Sequence, residues 1–300
     1  MTGILCVDKP PGPTSHDVVA RARRALGTRR VGHFGTLDPF ASGLVVCGVG
    51  PATRLASFAA SHPKTYLATV RLGWTSDTDD SEGDLAPTGA VAPSLADVEA
   101  ARDRWIGAVD QIPPAYSAKH VEGRRAYALA RAGETVELAP APVRIDRIDV
   151  LRYAWPDLEL EVECGPGTYI RALARDLGSG LGTGGYCAAL RRTRSGPFAV
   201  EDALAWDDLD DPGRAQSALA PAESAVAELP VAELDEPARA AVVAGRALPA
   251  PPELPADARW VRLRGPGGFV GLAERVDAPD GGRIQPRRIL YPGGEAAEPS

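Results

Sequence analysis

The chain has 300 residues, of which 44% are apolar and 24% are charged, a composition ordinary for globular proteins. This length excludes a peptide hormone or a disulfide-rich miniprotein, and it predicts a large domain with a small one appended. No apolar run approaches the roughly 20 residues that span a bilayer. Residues 1–9 lack the basic start and apolar stretch of a signal peptide. We therefore expect a soluble, cytoplasmic protein.

The formal net charge is −7, but it is unevenly distributed. Residues 1–71 carry nine basic and three acidic side chains, a balance of +6, which leaves −13 for the rest of the chain. A basic N-terminal part on an acidic body is compatible with a localised nucleic-acid footprint, although a solvated charged face has the same composition. The four cysteines lie far apart without a CxxC pair, which predicts buried thiols rather than a zinc or redox site.

The first predicted elements are a buried strand and a capped helix. Residues 4–7 form a short apolar run that ends at a Pro/Gly-rich turn, as a buried strand does. Thr14 and Asp17 then have the spacing of a capping box, apolar residues recur at helical spacing, and Gly27 supplies a helix stop.

A glycine-rich loop at residues 32–43 leads into a fully apolar strand at residues 44–47. Asp38 stands in this loop directly before Pro39. Glycines permit close approach of the backbone to a ligand, and proline restricts the chain after the carboxylate. Asp38 could therefore be a nucleophile, a base or a metal ligand; an aspartate that only begins a turn before proline is the alternative.

Two strands and a helix are predicted farther along the chain. Residues 66–72 and 158–164 alternate apolar and polar side chains, and the second stretch is typical of an antiparallel sheet with one solvated face. The helix has Thr168 as its predicted cap, an apolar stripe over residues 170–177, and Gly178 as its stop.

A metal site is not predicted. His33 and Asp38 are the only ligand types in the glycine-rich loop. An acidic cluster at residues 77–84 superficially suggests a calcium loop, but with Asp77 as position one, position twelve is Thr88, where an EF-hand requires glutamate. We interpret this cluster as a solvated loop that disfavours helix.

The C-terminal third differs in composition. Residues 201–260 contain thirteen acidic residues and four arginines. Residues 207–227 are predicted to be a linker, and residues 228–300 a small β-rich domain. Strands separated by Gly/Pro turns are predicted at residues 260–263, 269–272 and 283–284.

The common catalytic motifs are absent from the sequence, which has no GxSxG, no Walker A motif and no GxGxxG after a strand. Serine-triad hydrolysis and NTP-driven chemistry are therefore poorly supported. An aspartate, several arginines and several tyrosines remain as candidates, with no evident cofactor site.

Six blocks of sequence are informative together. They are residues 9–15 (KPPGPTS), 30–43 (RVGHFGTLDPFASG), 64–66 (KTY), 111–118 (QIPPAYSA), 167–171 (GTYIR) and 190–192 (LRR). In this order, over about residues 3–198, they resemble the bacterial tRNA pseudouridine synthases of the TruB type. Two positions depart from the family pattern: Phe34 stands where a small polar residue is expected, and His120 where lysine is usual.

The resemblance implies an α+β protein. It would have the pseudouridine synthase fold, with a mixed, largely antiparallel central sheet flanked by helices, and a small β-rich PUA-like C-terminal domain. The implied catalytic domain is 1–206, with an RNA-binding insertion around 74–152, and the PUA-like domain is 228–300. Members isomerise uridine 55 in the T loop of tRNA, a reaction with neither oxidation nor hydrolysis, so no cofactor and no metal are expected.

The resemblance assigns the reacting carboxylate to Asp38 and its cationic partner to Arg171. A partner is needed because desolvation alone would raise the pKa of the aspartate and neutralise it. Three roles stay open for Asp38: attack on ribose C1′, attack on uracil C6, or support of a glycal intermediate.

The resemblance also implies which residues bind the substrate. The uridine must leave its stack, at a cost of a few kcal/mol, and an aromatic face recovers roughly 1–3 kcal/mol per base. Tyr66 would stack on the flipped uracil and help remove its C5 proton. Tyr169 and Leu190 would form pocket walls, and His33 would support the opened T loop.

The expected partner is the T arm of tRNA, bound by a monomer that needs no protein partner and no membrane. Three alternatives remain: a tRNA folding helper, a hydrolase with paired carboxylates, and a guide-RNA-dependent relative that requires partner proteins. Phosphate contacts are expected from six basic residues, Arg21, Arg24, Arg29, Arg30, Lys64 and Lys119.

Overall fold

The computed structural model describes residues 1–116, 120–121, 124–125, 138–277 and 282–290. Within them, four short 3-10 helices occur at Gly50–Leu55, Val200–Asp202, Trp206–Asp210 and Ala222–Val226. The α-helices are Ser15–Ala25 (α1), Ala56–Ser61 (α2), Leu95–Asp103 (α3), Ile170–Gly180 (α4), Pro212–Ser217 (α5) and Glu236–Val243 (α6).

The strands are, in chain order, Gly3–Lys9 (β1), Val31–His33 (β2), Ser42–Val49 (β3), Lys64–Leu72 (β4), Trp74–Ser76 (β5), Leu85–Pro87 (β6), Gly107–Gln111 (β7), His120–Val121 (β8), Arg124–Arg125 (β9), Ala141–Ala154 (β10), Asp157–Cys164 (β11), Gly185–Ser195 (β12), Phe198–Ala199 (β13), Leu204–Ala205 (β14), Leu219–Ala220 (β15), Val231–Glu233 (β16), Leu248–Pro249 (β17), Trp260–Gly265 (β18), Gly268–Val276 (β19) and Arg283–Ile289 (β20).

One large sheet organises the N-terminal two thirds of the chain. Its strands run in the order β14-β1-β3-β12-β4-β11-β10-β7, with β2, β13 and β15 paired at the side of this path. Of its described strand pairs, β1 with β14 and β12 with β3 are parallel, and the others are antiparallel. The predicted α+β class with a mixed, largely antiparallel sheet is therefore confirmed.

The strand β11 shows why alternation predicted this sheet. Its apolar residues, Leu158, Leu160, Val162 and Cys164, are each 0–1% exposed, while the glutamates between them lie on the partly solvated face. Opposite β11, the same alternation on β4 turns Lys64, Tyr66 and Ala68 to the buried face. Helix α4 packs against β12 and β4.

Both predicted helices, α1 and α4, are present, but the first and last residues of α4 differ from the prediction. In α1 the capping box is present: Thr14 Oγ1 accepts from Asp17 N and the Asp17 carboxylate accepts from Thr14 N. In α4 the cap position is Tyr169, and the Thr168 hydroxyl donates to the Gly165 carbonyl instead. The prediction of Thr168 as cap was wrong, because the helix begins one residue later and Tyr169 takes the cap position without a side-chain cap hydrogen bond.

Gly178 was also wrongly predicted as the stop of this helix, which continues to Gly180. The glycine has another role, since a Cβ at position 178 would lie within 2.5 Å of the Gly184–Gly185 backbone. It allows the C-terminal part of α4 to lie close to the start of β12.

Residues 207–227, predicted as a linker, contain regular structure that packs on the large sheet. Leu209 and Ala215 belong to its core, and β15 pairs with β1. Two strands from the predicted insertion at 74–152, β7 and β10, also lie in the large sheet. We keep the division into a catalytic domain at 1–206 and a C-terminal domain from 228 as a proposal.

The C-terminal residues form a separate five-stranded sheet, in the order β16-β18-β19-β20-β17. It packs against the large domain through a shared apolar cluster in which Leu272 and Leu290 are buried with Ile4 and Leu55. Phe58 and Trp260 meet edge to face across this contact, with ring centres 4.8 Å apart. The small β-rich domain predicted from the Gly/Pro-punctuated strands is confirmed.

Candidate active site

A pocket of about 420 Å³ lies beside the central strands β4 and β12 of the large sheet, and its volume is within the usual size of small-molecule sites. The segments that meet there are far apart in sequence. They are residues 34–38 of the glycine-rich loop, Ala60, Lys64 and Tyr66 near and on β4, Tyr116, residues 165 and 167–171 before and at the start of α4, and Leu190 and Arg192 on β12.

The loop that carries Asp38 is fastened at several points. The Lys9 ammonium, 0% exposed, donates to the carbonyls of Pro10 (2.9 Å), Pro39 (3.3 Å) and Ala41 (2.6 Å). Because an unpaired buried charge is costly, these three acceptors explain how a lysine is tolerated there. The bonds to Pro39 and Ala41 tie the part of the loop after Asp38 to β1.

Arg192 fastens the same loop from the neighbouring strand. Its side chain is buried and donates to the carbonyls of Leu44 (2.7 Å), Thr36 (3.2 Å) and Gly35 (3.3 Å). The Ser15 hydroxyl completes the attachment, since it donates to the Leu37 carbonyl (3.1 Å) and accepts from Leu37 N (2.8 Å). The position of Asp38 is therefore set by β1, β12 and α1 together.

Asp38 forms an ion pair with Arg171, the second residue of α4. Arg171 Nε lies 3.0 Å from Asp38 Oδ2, and the side chains are 5% and 34% exposed. The Asp38 carboxylate thus keeps one open side, toward the pocket. The structure brings together the two residues that the sequence paired.

The surroundings of Asp38 act on its charge in opposite directions. Burial raises the pKa of Asp38 above its usual value, Arg171 opposes this rise, and the nearby carboxylate of Asp80 adds to it. The carboxylate is consequently more basic than an ordinary aspartate. Such a group can carry out nucleophilic or base chemistry near neutral pH.

Asp80 is a site residue that the sequence reasoning missed. The cluster at residues 77–84 was interpreted as a solvated loop, but Asp79 and Asp80 are 8% and 5% exposed. Asp80 Oδ2 lies 3.2 Å from Arg171 Nη1, and Asp79 Oδ2 accepts from Arg175 Nη1 (2.8 Å). The correction has a physical reason: two arginines one helical turn apart on α4 compensate the two carboxylates.

Two backbone carbonyls complete the coordination of the Arg171 guanidinium. Nη1 donates to the Thr78 carbonyl (3.1 Å), and Nη2 donates to the Tyr116 carbonyl (2.9 Å). A planar cation with acceptors on both terminal nitrogens has little freedom to rotate. Arg171 therefore presents Nε to Asp38 from a fixed position.

Tyr66 and Leu190 form apolar walls of the pocket. Tyr66 is 8% exposed and Leu190 is 7% exposed, and both line the cavity from adjacent strands. Burial raises the pKa of Tyr66, an effect that Arg192 opposes. The phenol is thus neutral at ordinary pH and offers a ring face and a hydroxyl.

Tyr169 lines the pocket from the cap position of α4 and is held by Gln111, a second residue that the sequence reasoning did not single out. Gln111 Oε1 accepts from Tyr169 N (2.8 Å), and Gln111 Nε2 donates to the Tyr169 carbonyl (3.0 Å). Gln111 is 1% exposed. The position of Gln111 in the sequence block 111–118 was the feature from which a role at the site could have been predicted.

Comparison with known proteins bears on the same residues. The model of the TruB family pseudouridylate synthase (N terminal domain) matches residues 23–170, and that of the tRNA pseudouridylate synthase B C-terminal domain matches residues 171–227. The tRNA pseudouridine synthase B of Mycobacterium tuberculosis (strain ATCC 25618 / H37Rv) is 46% identical over 253 residues, covering 83% of this chain and 84% of that protein. The chain belongs to the TruB family.

Other TruB-family and structural relatives extend the match over the whole chain. The tRNA pseudouridine synthase B of Arthrobacter sp. (strain FB24) is 42% identical over 308 residues and covers 98% of both proteins. A solved structure, the crystal structure of a Cbf5-Nop10-Gar1 complex, superposes with a TM-score of 0.76 at 28% identity, covering 97% of this chain and 85% of that one. The pseudouridine synthase fold and the PUA-like character of the C-terminal domain are supported by this superposition.

His33 lies outside the lining of the TruB-family pocket. It ends β2, and its ring meets the ring of His16 edge to face, with centres 5.2 Å apart. Burial lowers the pKa of His33, and the neighbouring His16 and Arg192 lower it further, which favours the neutral imidazole. A role beside a bound RNA loop stays a prediction for this residue.

Two of the predicted phosphate-binding residues, Arg21 and Lys64, have partners within the fold. Arg21 donates to both carboxylate oxygens of Asp210 and lies over the Trp206 ring, 4.1 Å from its centre. Lys64 is 8% exposed and donates to the carbonyls of Ala60 (2.5 Å) and His62 (2.6 Å). Each of these two cations therefore has a partner within the fold, and its contact with phosphate stays a prediction. Lys119 lies outside the described residues.

Arg24, Arg29 and Arg30 are exposed and remain available to an anionic partner. Among the described residues, no group of three or more His, Cys, Asp or Glu side chains could hold a metal ion. No helix in that same part of the chain is long and apolar enough to cross a membrane.

Proposed function

We propose that this TruB-family protein isomerises uridine 55 in the T loop of tRNA to pseudouridine, with Asp38 as the catalytic carboxylate. The single observation that carries the proposal is the Asp38–Arg171 ion pair, open on one side to a pocket with aromatic walls. The relatives are named tRNA pseudouridine synthase B, and the proposal transfers that substrate to this chain.

The chemistry conserves atoms and electrons within the nucleotide. The bond from ribose C1′ to uracil N1 breaks, the base turns, and a bond from C1′ to C5 forms. The proton on C5 is lost and N1 gains one, so the product has the composition of the substrate. Neither a redox cofactor nor a metal takes part in this balance.

Asp38 acts on the sugar or on the base in this scheme. A carboxylate with a raised pKa and one open side can attack C1′, attack C6, or stabilise a cationic sugar while a glycal forms. Arg171 opposes the rise in the pKa of Asp38 that burial causes, and it fixes the direction of the carboxylate. These three routes differ in whether the nucleotide is covalently attached to Asp38 and at which atom.

Tyr66, Leu190 and Tyr169 receive the flipped base. Stacking on an aromatic ring repays part of the unstacking cost, with roughly 1–3 kcal/mol per base. Because burial raises the pKa of Tyr66, its phenol accepts the C5 proton only if another group takes its own proton. We therefore assign Tyr66 first to stacking, and second to proton transfer through its hydroxyl.

Substitutions at Tyr66 separate these two roles. Tyr66→Phe retains the ring and removes the hydroxyl, whereas Tyr66→Ala removes both. If stacking dominates, the phenylalanine variant binds T-arm RNA as the wild type does and the alanine variant binds more weakly. A loss of rate in both, with unchanged binding, assigns the hydroxyl to proton transfer.

The test of the function uses the purified full chain and an unmodified tRNA transcript. We expect one uridine in the T loop to become pseudouridine, detected by chemical mapping of the isomer, and we expect Asp38→Asn to give no product. Product from Asp38→Asn would remove Asp38 from the mechanism. Release of free uracil would support a hydrolase instead.

The same assay separates the remaining alternatives. Activity of the isolated chain excludes a need for guide RNA or partner proteins. The Cbf5 neighbour, in contrast, was solved in a complex with Nop10 and Gar1. Restoration of tRNA folding without any pseudouridine would identify a folding helper. We further propose that the protein acts in the cytoplasm as a monomer, which sedimentation of the active protein tests.

A further inference from the structure

Phe34 is the position in the Asp38 loop at which this chain departs from the family pattern, because a small polar residue is expected there. Its side chain is 5% exposed, and its backbone N–H donates to the Val46 carbonyl (2.8 Å). A buried phenylalanine contributes a large apolar surface to the fold. The ring has a place in the core that a small polar side chain would leave empty.

The space for this ring comes from Gly48 on β3. A Cβ at position 48 would lie 2.5 Å from Cζ and 2.8 Å from Cε1 of Phe34, and 3.0 Å from the backbone carbonyl carbon of Ala52. Positive φ does not explain this glycine, since it is not among the residues with that conformation. The ring and the turn at Ala52 together leave no room for a side chain at position 48.

Phe34 is also the place where the wall of the pocket meets the second apolar cluster. Phe34 lines the pocket and packs in the cluster that contains Leu272 and Leu290 of the C-terminal domain. Four other apolar side chains of the pocket, Leu37, Tyr66, Ile170 and Leu190, belong to the core on the opposite face of the sheet. The Asp38 loop is thus held from both sides of the sheet.

We propose that Phe34 is a positioning residue for the isomerisation: its ring, seated in the notch at Gly48, sets the position of residues 35–38 and so of the Asp38 carboxylate. Gly35 and Thr36 are held by Arg192 from the other side, so the ring and the guanidinium clamp the short segment between them. The inference rests on the proposed function, because its main readout is the rate of pseudouridine formation.

The test uses Phe34→Thr, Phe34→Leu, Gly48→Ala and the double variant Phe34→Thr/Gly48→Ala, each measured below its unfolding temperature. A displacement of about 1 Å costs up to about 100-fold in rate, so we expect Phe34→Thr to lower the single-turnover rate roughly tenfold or more at saturating enzyme. The dissociation constant for T-arm RNA should stay within about threefold. Phe34→Leu should retain most of the rate.

Gly48→Ala provides the independent check, since it keeps phenylalanine at position 34 but pushes its ring out of the space beside position 48. We expect it to lower the rate alone and to add little in the Phe34→Thr background, where the ring is gone. Such coupling is expected for residues in direct contact and not for independent ones. Additive losses would overturn the proposal.

Two further outcomes would contradict the positioning role. One is a full rate for Phe34→Thr; the other is a loss explained wholly by weaker RNA binding, which would make the ring an RNA contact. An inactive wild-type chain would instead contradict the proposed function. In that case thermal unfolding still tests the Phe34–Gly48 contact: Gly48→Ala should be clearly more destabilising with Phe34 than with threonine at position 34, where only the contact with the Ala52 backbone remains.

Discussion

Arg171 contacts Asp38 through Nε, while Nη1 of the same guanidinium lies 3.2 Å from Asp80 and both terminal nitrogens donate to backbone carbonyls. The cation therefore stands between two carboxylates, of which one faces the pocket and the other is 6% exposed. A guanidinium can serve both because its donors point in fixed, different directions. This arrangement leads to the first three predictions.

Arg171→Lys should lower the rate of pseudouridine formation by roughly 100-fold, which corresponds to about 3 kcal/mol of lost transition-state stabilisation. A single ammonium cannot reach Asp38, Asp80 and both carbonyls. The matched control is Arg175→Lys, one turn along α4, where the side chain pairs with Asp79 outside the pocket lining. Single-turnover rates of the two variants should differ strongly; equal losses would assign Arg171 a structural role only.

Asp80→Asn should reduce the rate by about tenfold, because Arg171 loses the charge that holds its Nη1. Asparagine still provides an oxygen to accept from the Thr78 hydroxyl, which donates to Asp80 Oδ1 (2.6 Å) in the wild type. Asp77→Asn is the control, since Asp77 is exposed and accepts from Asp84 N (2.8 Å). A rate for Asp80→Asn equal to that of the control would contradict this prediction.

The rate of pseudouridine formation should fall at acid pH as Asp38 becomes protonated. Because burial raises the pKa of Asp38, this fall should occur at a pH above the usual aspartate value of 3.8. Between 3.8 and the raised pKa of Asp38, the folded state binds more protons at this carboxylate than the unfolded state does. The contribution of Asp38 to stability therefore decreases as pH rises, while the activity increases. Asp80→Asn removes a like charge and should move the acid limb to lower pH. A limb at or below 3.8 in the wild type would contradict the assignment to Asp38.

Lys9→Met should destabilise the fold by about 1–3 kcal/mol, because three loop carbonyls lose their donor. Burial lowers the pKa of Lys9 to about 8 from 10.5, so between these values the unfolded state binds more protons than the folded one and wild-type stability rises with pH. Urea unfolding at neutral pH and near pH 10 measures both effects. The stability difference between wild type and variant should widen at the higher pH; a narrower one would contradict the prediction.

Binding to tRNA should weaken steeply with salt, and the double variant Arg29→Ala/Arg30→Ala should reduce the salt slope by about two. Both arginines are exposed on the basic N-terminal part of the chain. Arg21→Ala is the matched control, because its guanidinium already pairs with Asp210 and lies over Trp206. If the salt slope changes in the control, or does not change in the double variant, the prediction that Arg29 and Arg30 contact tRNA phosphates is contradicted.

Local patterns were enough to predict the elements that depend on neighbouring residues. The spacing of Thr14 and Asp17 predicted the start of α1, and the alternation in β11 predicted a half-buried strand, because capping and the two-residue period of a strand act over a few residues. The blocks that resemble the TruB family indicated Asp38 and Arg171 as partners without any coordinates.

Tertiary structure decided what the charged residues contact. Asp80 reaches Arg171 across 91 positions of sequence, and Arg21 reaches Asp210 across 189; neither pairing follows from composition or spacing. The packing of α4 against β12 and β4 positions Arg171 beside the sheet, and the lack of a side chain at Gly48 on β3 leaves the space that Phe34 occupies. Burial then determines whether a carboxylate near an arginine is solvated or part of the site, because only the assembled core excludes water from it.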